Sequence, residues 1–198
     1  MFVQVIKGRT SDPEGLRRQL ERWRDEVRPG ARGFLGSTVG ITDDGTVVAF
    51  ARFDDEAAAR TNSDRPEQTA WWQETSRYFD GEPSFRESSD VSTLFGGGSD
   101  TAGFVQVMEG TVTDRAEADA FETPEMLEQL RAARPDLIGA VRVWFADGGF
   151  VEAAYFTSEA DARTGEASTE FSGPQQQYMA IFAEMAFLDL RDPLLTGP

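Results

Sequence analysis

Few residue types remain for chemistry in this 198-residue chain, because it contains neither histidine nor cysteine. Their absence excludes thiolate nucleophiles, thiolate zinc sites and iron–sulfur clusters. It equally excludes Ser-His-Asp catalysis and histidine-ligated haem or iron. Carboxylates, arginine, tyrosine, tryptophan, amides, hydroxyls and one lysine, Lys7, are left. Any reaction must rest on these groups, and the motifs imply no cofactor and no metal.

Two glutamines, Gln4 and Gln106, each stand between two valines in an apolar stretch that is typical of a strand. A buried amide needs hydrogen-bond partners, so each glutamine is either satisfied by the protein or exposed to a ligand cavity. Because the two occupy equivalent positions of an internal repeat, a structural role is favoured. Gln4 is also kept as a candidate ligand contact.

Four charged residues fall within predicted strands: Arg52, Glu109, Arg142 and Glu152. An ionised group that faces an interior must be paired or lie in a wet cavity. For Glu152 we expect a structural ion pair with an arginine across a seam between sheets. A lone charge in a pocket would instead indicate function, and Arg52 is kept as a candidate ligand contact on that ground.

These residues are positioned by two copies of one sequence pattern. Phe2-Val3-Gln4-Val5 returns as Phe104-Val105-Gln106-Val107, and the segment 34–60 returns without a gap as 137–163. So long a period indicates two copies of one domain. We predict domains over residues 1–95 and 103–198, each of a common domain size, joined by a glycine-rich linker over 96–102.

Each copy predicts the order strand, helix, strand, strand, helix, strand. Asp12 caps the first helix, and Leu16, Leu20, Trp23 and Val27 form its apolar stripe. Asp-Gly turns predict a hairpin in each copy. The predicted strands cover 2–7, 34–42, 46–53, 84–94, 104–112, 137–146, 149–156 and 186–190. The other predicted helices cover about 54–60, 65–79, 115–133 with a break at Pro124, 158–164 and 173–185.

The formal charge of −16 would repel phosphate backbones and anionic membrane surfaces, so we expect no nucleic-acid and no membrane partner. No apolar run approaches the roughly 18–20 residues that span a bilayer. The N-terminus begins as a strand, without the regions of a signal peptide. We expect an acidic cytoplasmic protein that is a monomer with an internal pseudo-twofold axis, or a dimer of such monomers.

The element order, the Asp-Gly hairpins and the segments Phe53–Arg60 and Phe156–Arg163 carry a resemblance over nearly the whole chain. They resemble the dimeric α+β barrel superfamily, particularly its antibiotic-biosynthesis-monooxygenase-like and stress-responsive barrel domains. The resemblance implies an α+β fold of two ferredoxin-like βαββαβ repeats. Their antiparallel sheets would pack as an intramolecular α+β barrel, through tandem duplication of a unit that relatives use as a dimer.

Cofactor-free monooxygenases of this family place Asn, Trp, Tyr and Arg around a polyphenolic substrate whose own anion reduces oxygen. In the first copy, Asn62, Trp72, Tyr78 and Arg86 follow in the matching order, and Trp71 is a further candidate contact. The resemblance implies that Trp stacks an aromatic ligand, Arg stabilises a phenolate, and Tyr or Asn binds an oxyanion. The second copy departs at these positions, with Gly165, Pro174-Gln175, Ile181 and Leu188 or Asp189.

Two functions stay open at this point. The first is a small-molecule-binding or stress-associated barrel protein without an evident catalytic motif. The alternative is a cofactor-independent monooxygenase that acts on an aromatic, polyketide-like substrate, with its pocket in the first copy. Whether the protein is an enzyme is undecided by the sequence.

Overall fold

The chain divides into two compact units in the computed structural model, which describes residues 1–168 and 172–198. The first unit comprises Met1–Val91 and Leu190–Pro198, and the second comprises Ser92–Asp189. Each unit contains one five-stranded sheet together with its helices. No helix in the described ranges is long and apolar enough to cross a membrane.

The first copy of the repeat supplies four strands and three α-helices. They are β1 (Phe2–Arg9), α1 (Pro13–Arg22), β2 (Phe34–Ile41), β3 (Thr46–Phe53), α2 (Glu56–Ser63), α3 (Pro66–Thr75) and β4 (Ser84–Ser88). Helix α1 begins as predicted, because the Asp12 carboxylate accepts a hydrogen bond of 2.8 Å from the Gly15 N–H. It continues through a π-helical turn, Trp23–Val27, and a 3₁₀ turn, Arg28–Gly30; another 3₁₀ turn, Ser76–Tyr78, follows α3.

The second unit repeats this order with small differences. Its elements are β5 (Val91–Leu94), β6 (Phe104–Val112), α4 (Arg115–Phe121), α5 (Pro124–Ala133), β7 (Leu137–Trp144), β8 (Gly149–Phe156), α6 (Glu159–Ala167), α7 (Ser172–Ile181) and β9 (Phe182–Leu190). Pro124 separates α4 from α5, as the sequence predicts. Strand β9, the final strand of the second copy, begins at Phe182 and not near residue 186, and the Phe182 ring is buried against Trp144 and Phe150.

Both sheets have the strand order of a ferredoxin-like unit. It is β4-β1-β3-β2 in the first sheet and β9-β6-β8-β7 in the second, with β1–β3, β2–β3, β6–β8 and β7–β8 pairing antiparallel. This arrangement confirms the predicted α+β class of two ferredoxin-like repeats.

Each sheet has a fifth strand, which comes from the segment that follows the other copy of the repeat in the sequence. Strand β5 borders β7 in the second sheet, and β10 (Leu194–Thr196) pairs antiparallel with β2 in the first. The single strand predicted over 84–94 is thus wrong, because the chain turns at Ser89-Asp90 and its two parts join different sheets. The division of the chain at residues 95 and 103 stays a prediction about the repeat.

Candidate functional site

Each unit encloses a cavity between its sheet and its helices. The first cavity, of about 270 Å³, is lined by residues that include Gln4, Trp23, Asn62, Trp71 and Trp72. The second cavity, of about 520 Å³, lies in the second unit and is nearly twice as large. Its lining includes Gln106, Glu122, Arg142, Glu152 and Tyr178.

Aromatic rings dominate one wall of the first cavity. The centroids of Trp23 and Trp71 are 6.2 Å apart, those of Trp71 and Trp72 are 5.9 Å apart, and Trp72 meets Phe85 at 5.3 Å. The indole of Trp71 donates a 2.8 Å hydrogen bond to the Gln19 carbonyl, which fixes its ring against α1. This wall offers stacking surface to a flat, apolar ligand.

Asn62 joins these rings at the end of α2 and is buried. Its Oδ1 accepts a 3.0 Å hydrogen bond from Nη1 of Arg65. The structure therefore brings two of the four candidates from the monooxygenase pattern, Asn62 and Trp72, into one cavity. Trp71 and Gln4, which the sequence marks as ligand contacts, line the same cavity.

The other candidates do not line the first cavity. Arg86 pairs with Val5 and Arg52 with Val3 in the sheet, so alternation of side chains places both on the face away from Gln4. Arg52 is buried there, and its Nε donates a 3.4 Å hydrogen bond to the Gly36 carbonyl.

Tyr78 lies in the 3₁₀ turn after α3, outside the cavity lining. Its ring packs on Gly15 so closely that a Cβ on that glycine would lie 2.4 Å from Cε1 of Tyr78. Its carbonyl accepts a 2.7 Å hydrogen bond from the Thr10 hydroxyl. The Tyr78 side chain thus packs against α1, away from the aromatic wall.

Both strand glutamines are held by a carboxylate that an arginine also binds. Nε2 of Gln4 donates a 2.7 Å hydrogen bond to Glu87, and Nη1 of Arg60 donates one of 2.9 Å to the same oxygen. The Arg60 guanidinium lowers the pKa of Glu87 below its ordinary value, and the Gln4 amide adds to this against the effect of burial. In the second unit, Nε2 of Gln106 donates a 3.1 Å bond to Asp189, which Arg163 also binds.

A buried ionic cluster forms the polar end of the second cavity. Arg142 and Glu152 lie directly opposite each other on β7 and β8, and Nε of Arg142 donates to Oε2 of Glu152. Nη1 of Arg142 donates a 2.6 Å hydrogen bond to Oε1 of Glu122, and Nη2 donates to the hydroxyl of Tyr178. The Tyr178 hydroxyl in turn donates a 2.9 Å bond to the same Glu122 oxygen. We refer to these four residues as the buried cluster.

Burial and charge together fix the ionisation of the arginine and the tyrosine. Burial opposes the charge on Arg142, but the carboxylates of Glu152 and Glu122 outweigh it and raise the pKa of the guanidinium. Burial raises the pKa of the Tyr178 phenol, and the carboxylate of Glu152 raises it further despite the neighbouring Arg142. Arg142 therefore stays cationic and Tyr178 stays a hydroxyl donor at neutral pH.

One wall of the second cavity is apolar. It is built from α5, which contributes Met126, Leu127 and Leu130, and from rings that include Phe121 and Phe156. Phe121 lies 5.5 Å from the ring of Tyr178. A cavity with an apolar body and polar groups at one end can orient a small organic molecule. Among the described residues, no group of three or more acidic side chains is placed to hold a metal ion.

The sequence identified half of the buried cluster. It marked Arg142 and Glu152 as charged strand residues in need of partners, and they partner each other within one hairpin, not across a seam between sheets. No sequence pattern marked the other two members, Glu122, which follows α4, and Tyr178, which lies on α7. Of the second-copy residues that depart from the monooxygenase pattern, Gly165 and Asp189 line the second cavity, and the side chains of Pro174 and Gln175 lie outside the described residues.

Comparison with known proteins identifies the fold and leaves the family open. No family model matches the chain, and no curated protein matches it. Solved structures match over nearly the full length of both chains, which places the protein among tandem α+β proteins of this architecture.

Three of these structures are the most informative. A protein from Fusobacterium nucleatum, described as a candidate monooxygenase, matches at TM-score 0.78 and 10% identity over 99% of this chain and 94% of that one. A second candidate monooxygenase, from Lactobacillus acidophilus, matches at 0.72 and 12% over 96% and 92%. A protein described as anthrone oxidase-like matches at 0.64 and 15% over 100% and 91%. At these identities the likeness shows a shared fold.

Proposed function

We propose that this protein binds a small, largely apolar molecule in the second cavity. One observation carries the proposal: a cavity of about 520 Å³ has an apolar wall and a buried polar cluster at one end. Ligand sites are commonly concave, mostly apolar and of about 300–1,000 Å³, with a few convergent polar groups that set orientation. The first cavity, of about 270 Å³, falls just below that range.

The cost of the cluster supports this interpretation. Burying an ion pair takes two charges out of water, and the attraction between them often does no more than offset that loss. Apolar side chains at Val39 and Ala49 fill the positions of Arg142 and Glu152 in the first unit, so the fold itself does not need the charges. A role in ligand binding accounts for their presence in the second unit.

A fluorescence titration tests the proposal. The neutral probe N-phenyl-1-naphthylamine is added to the full chain and to two variants that place a phenylalanine at equivalent positions, Ala154→Phe in the second cavity and Ala51→Phe in the first. We expect Ala154→Phe to abolish binding and Ala51→Phe to leave it unchanged. Binding that survives in Ala154→Phe, with the fold intact by circular dichroism, would reject the second cavity as the site.

Cofactor-independent oxygenation of an aromatic, polyketide-like substrate is the second candidate function. Asn62 and Trp72 in one aromatic-walled cavity favour it, as does the fold shared with proteins described as monooxygenases or as anthrone oxidase-like. In this proposal Trp72 stacks the substrate and Asn62 donates a hydrogen bond to its oxyanion. Tyr78 and Arg86 stay proposed members of the set, although neither lines the cavity.

Oxygen uptake with anthrone tests this second candidate. Anthrone plus O₂ gives anthraquinone plus water, so one O₂ is consumed for each anthrone oxidised. We expect uptake above the protein-free background, reduced about tenfold or more by Trp72→Phe or Asn62→Ala. Gln73→Ala, an exposed change on the same helix, serves as control. Uptake equal to the background would remove this candidate and leave ligand binding in the second cavity untouched.

We further propose that the protein acts in the cytoplasm, as a monomer or as a dimer of such monomers. Light scattering after size-exclusion chromatography distinguishes the two, because a monomer has a mass of 21.8 kDa. Fractionation of cells that express the full chain tests the location.

A further inference from the structure

The buried cluster holds an excess of negative charge. One guanidinium, that of Arg142, faces the two carboxylates of Glu122 and Glu152. All three side chains are almost fully enclosed, with side-chain exposures of 4% for Arg142, 13% for Glu122 and 5% for Glu152. Solvent screening is weak at such positions, so the excess charge acts strongly on whatever enters the cavity.

The two carboxylates also retain capacity to accept hydrogen bonds. From the described residues, Glu152 accepts on Oε2, and Glu122 accepts two bonds on Oε1, one from Arg142 and one from Tyr178. A carboxylate has two oxygens and about four lone-pair sites. Both carboxylates line the second cavity, so a ligand in it can donate to the remaining sites.

The other arginines of the cavity wall do not reverse this balance. Arg134 forms a 2.7 Å ion pair with Asp136, and Arg163 forms a 3.0 Å pair with Glu166 and also binds Asp189. Each cation of the wall is thus matched by at least one carboxylate. An anionic ligand would meet the excess charge of the buried cluster, and the described part of the wall holds no unpaired cation to offset it.

Resting on the proposed function, we propose that the ligand of the second cavity is an apolar amine in its protonated form. Its ammonium group donates hydrogen bonds to Glu152 and Glu122, which neutralises the excess charge of the cluster. The rings of Phe121 and Tyr178 flank this end of the cavity and add cation–π attraction.

The apolar body of the amine lies along α5. Met126, Leu127 and Leu130 present flexible or branched side chains there, which suits a ring system or a short alkyl chain. The first cavity cannot bind an amine in this way, because Val39 and Ala49 stand at the positions of Arg142 and Glu152.

Calorimetric titration of the full chain with three probes of one ring system tests the inference. The probes are 1-naphthylmethylamine, 1-naphthylmethanol and 1-naphthoate, which carry a cationic, a neutral and an anionic head group at neutral pH. We expect the amine to bind about tenfold or more tightly than the alcohol, equivalent to about 1.4 kcal/mol. We expect no measurable binding of the carboxylate.

A pair of charge-neutralising variants locates the effect. Glu152→Gln removes the excess charge with little change of size, so the preference for the amine should fall to about threefold or less while the alcohol still binds. Glu128→Gln makes the same change at an exposed position of α5 and should leave the preference intact. Glu122→Gln provides a second variant if Glu152→Gln does not fold.

The outcomes separate the inference from the proposed function. Equal affinities for the three probes, tighter binding of the carboxylate, or an amine preference that persists in Glu152→Gln, or in Glu122→Gln where it replaces that variant, would overturn the inference. The inference would also be overturned if N-phenyl-1-naphthylamine bound and none of the three probes did. The cavity would then bind apolar ligands without recognising a charged head group. Failure of all four compounds to bind would overturn the proposed function itself.

Discussion

The two units share one fold and one register but have cavities of different chemical character. The first cavity is walled by tryptophans and contains Val39 and Ala49 where the second contains Arg142 and Glu152. The strand-glutamine arrangement, by contrast, is the same in both, with an amide, a carboxylate and an arginine in contact. After duplication, both units have kept the contacts that join helix to sheet, whereas the strand residues that line the cavities have diverged.

This difference shows which residues the fold requires. Features present twice, such as the Asp-Gly hairpins and the glutamine contacts, serve the architecture common to both units. The buried cluster is present in the second unit, and the chain of tryptophan rings in the first. Residues that differ at equivalent positions of the two units are therefore the best candidates for function.

Removing Arg142 should have the largest effect on the free energy of unfolding, because it disrupts the cluster that distinguishes the second unit from the first. Arg142→Met leaves Glu122 and Glu152 buried without their cation, and loss of one partner of a buried pair costs about 3–5 kcal/mol. Urea unfolding monitored by circular dichroism measures the free energy of unfolding. Arg77→Met, an exposed change in the 3₁₀ turn after α3, should alter it by about 0.5 kcal/mol or less.

The double variant Arg142→Val with Glu152→Ala gives the second cavity the residues of the first. It should recover part of the stability lost in Arg142→Met, because the more deeply buried carboxylate is removed together with its cation. A single variant as stable as the wild type would show that the cluster is not a tightly coupled ionic site. A double variant less stable than the single one would contradict the view that the second unit tolerates the first unit's residues.

Much of the secondary structure could be predicted from the sequence, because the patterns that indicate strands and turns involve residues close together in the chain. The Asp-Gly turn places Asp147 and Gly148 at the hairpin tip, and this alone sets Arg142 opposite Glu152. The pairing partners of β5 and β10 could not be predicted, since four and three residues carry too little pattern to specify a sheet. Their exchange depends on contacts distant along the chain.

The candidate site was less predictable, for the same reason. Arg86 followed the expected order along the chain, but its register opposite Val5 places it on the face away from the first cavity. Order along a sequence does not determine which face of a strand a residue occupies once an irregular segment precedes it. Glu122 and Tyr178 reach the buried cluster from separate helices, and only the tertiary fold brings them together.

The two hairpin glycines offer a smaller test of whether the units share their architecture in detail. Gly45 and Gly148 have φ angles of 83° and 82°, so alanine at either should cost about 1–2 kcal/mol. A Cβ on Gly45 would also lie 2.5 Å from the Thr10 carbonyl oxygen, whereas on Gly148 its nearest neighbour, the Val112 oxygen, is 3.6 Å away. Gly45→Ala should therefore cost about 1 kcal/mol more than Gly148→Ala. Equal free energies of unfolding would show that the turn of the first unit relaxes freely.

The smallest effect concerns the pH dependence of the glutamine arrangement in the first unit. Because Arg60 lowers the pKa of Glu87 below 4.5, the ionised carboxylate stabilises the folded state above that pH. This contribution is lost as the pH falls from 4.5 through the lowered value, since protonation then occurs in the folded state as well. Glu87→Gln should thus cost up to about 1 kcal/mol at neutral pH and progressively less in acid.

Urea unfolding of the wild type and of Glu87→Gln at neutral pH and at about pH 3 measures this difference. Glu128→Gln, an exposed change, should show little cost at either pH. A cost of Glu87→Gln that stays constant between the two pH values would mean that Gln4 and Arg60 contact the side chain without favouring its charge. The glutamine arrangement would then be a matter of packing alone, and its recurrence at Gln106 would reflect shape and not electrostatics.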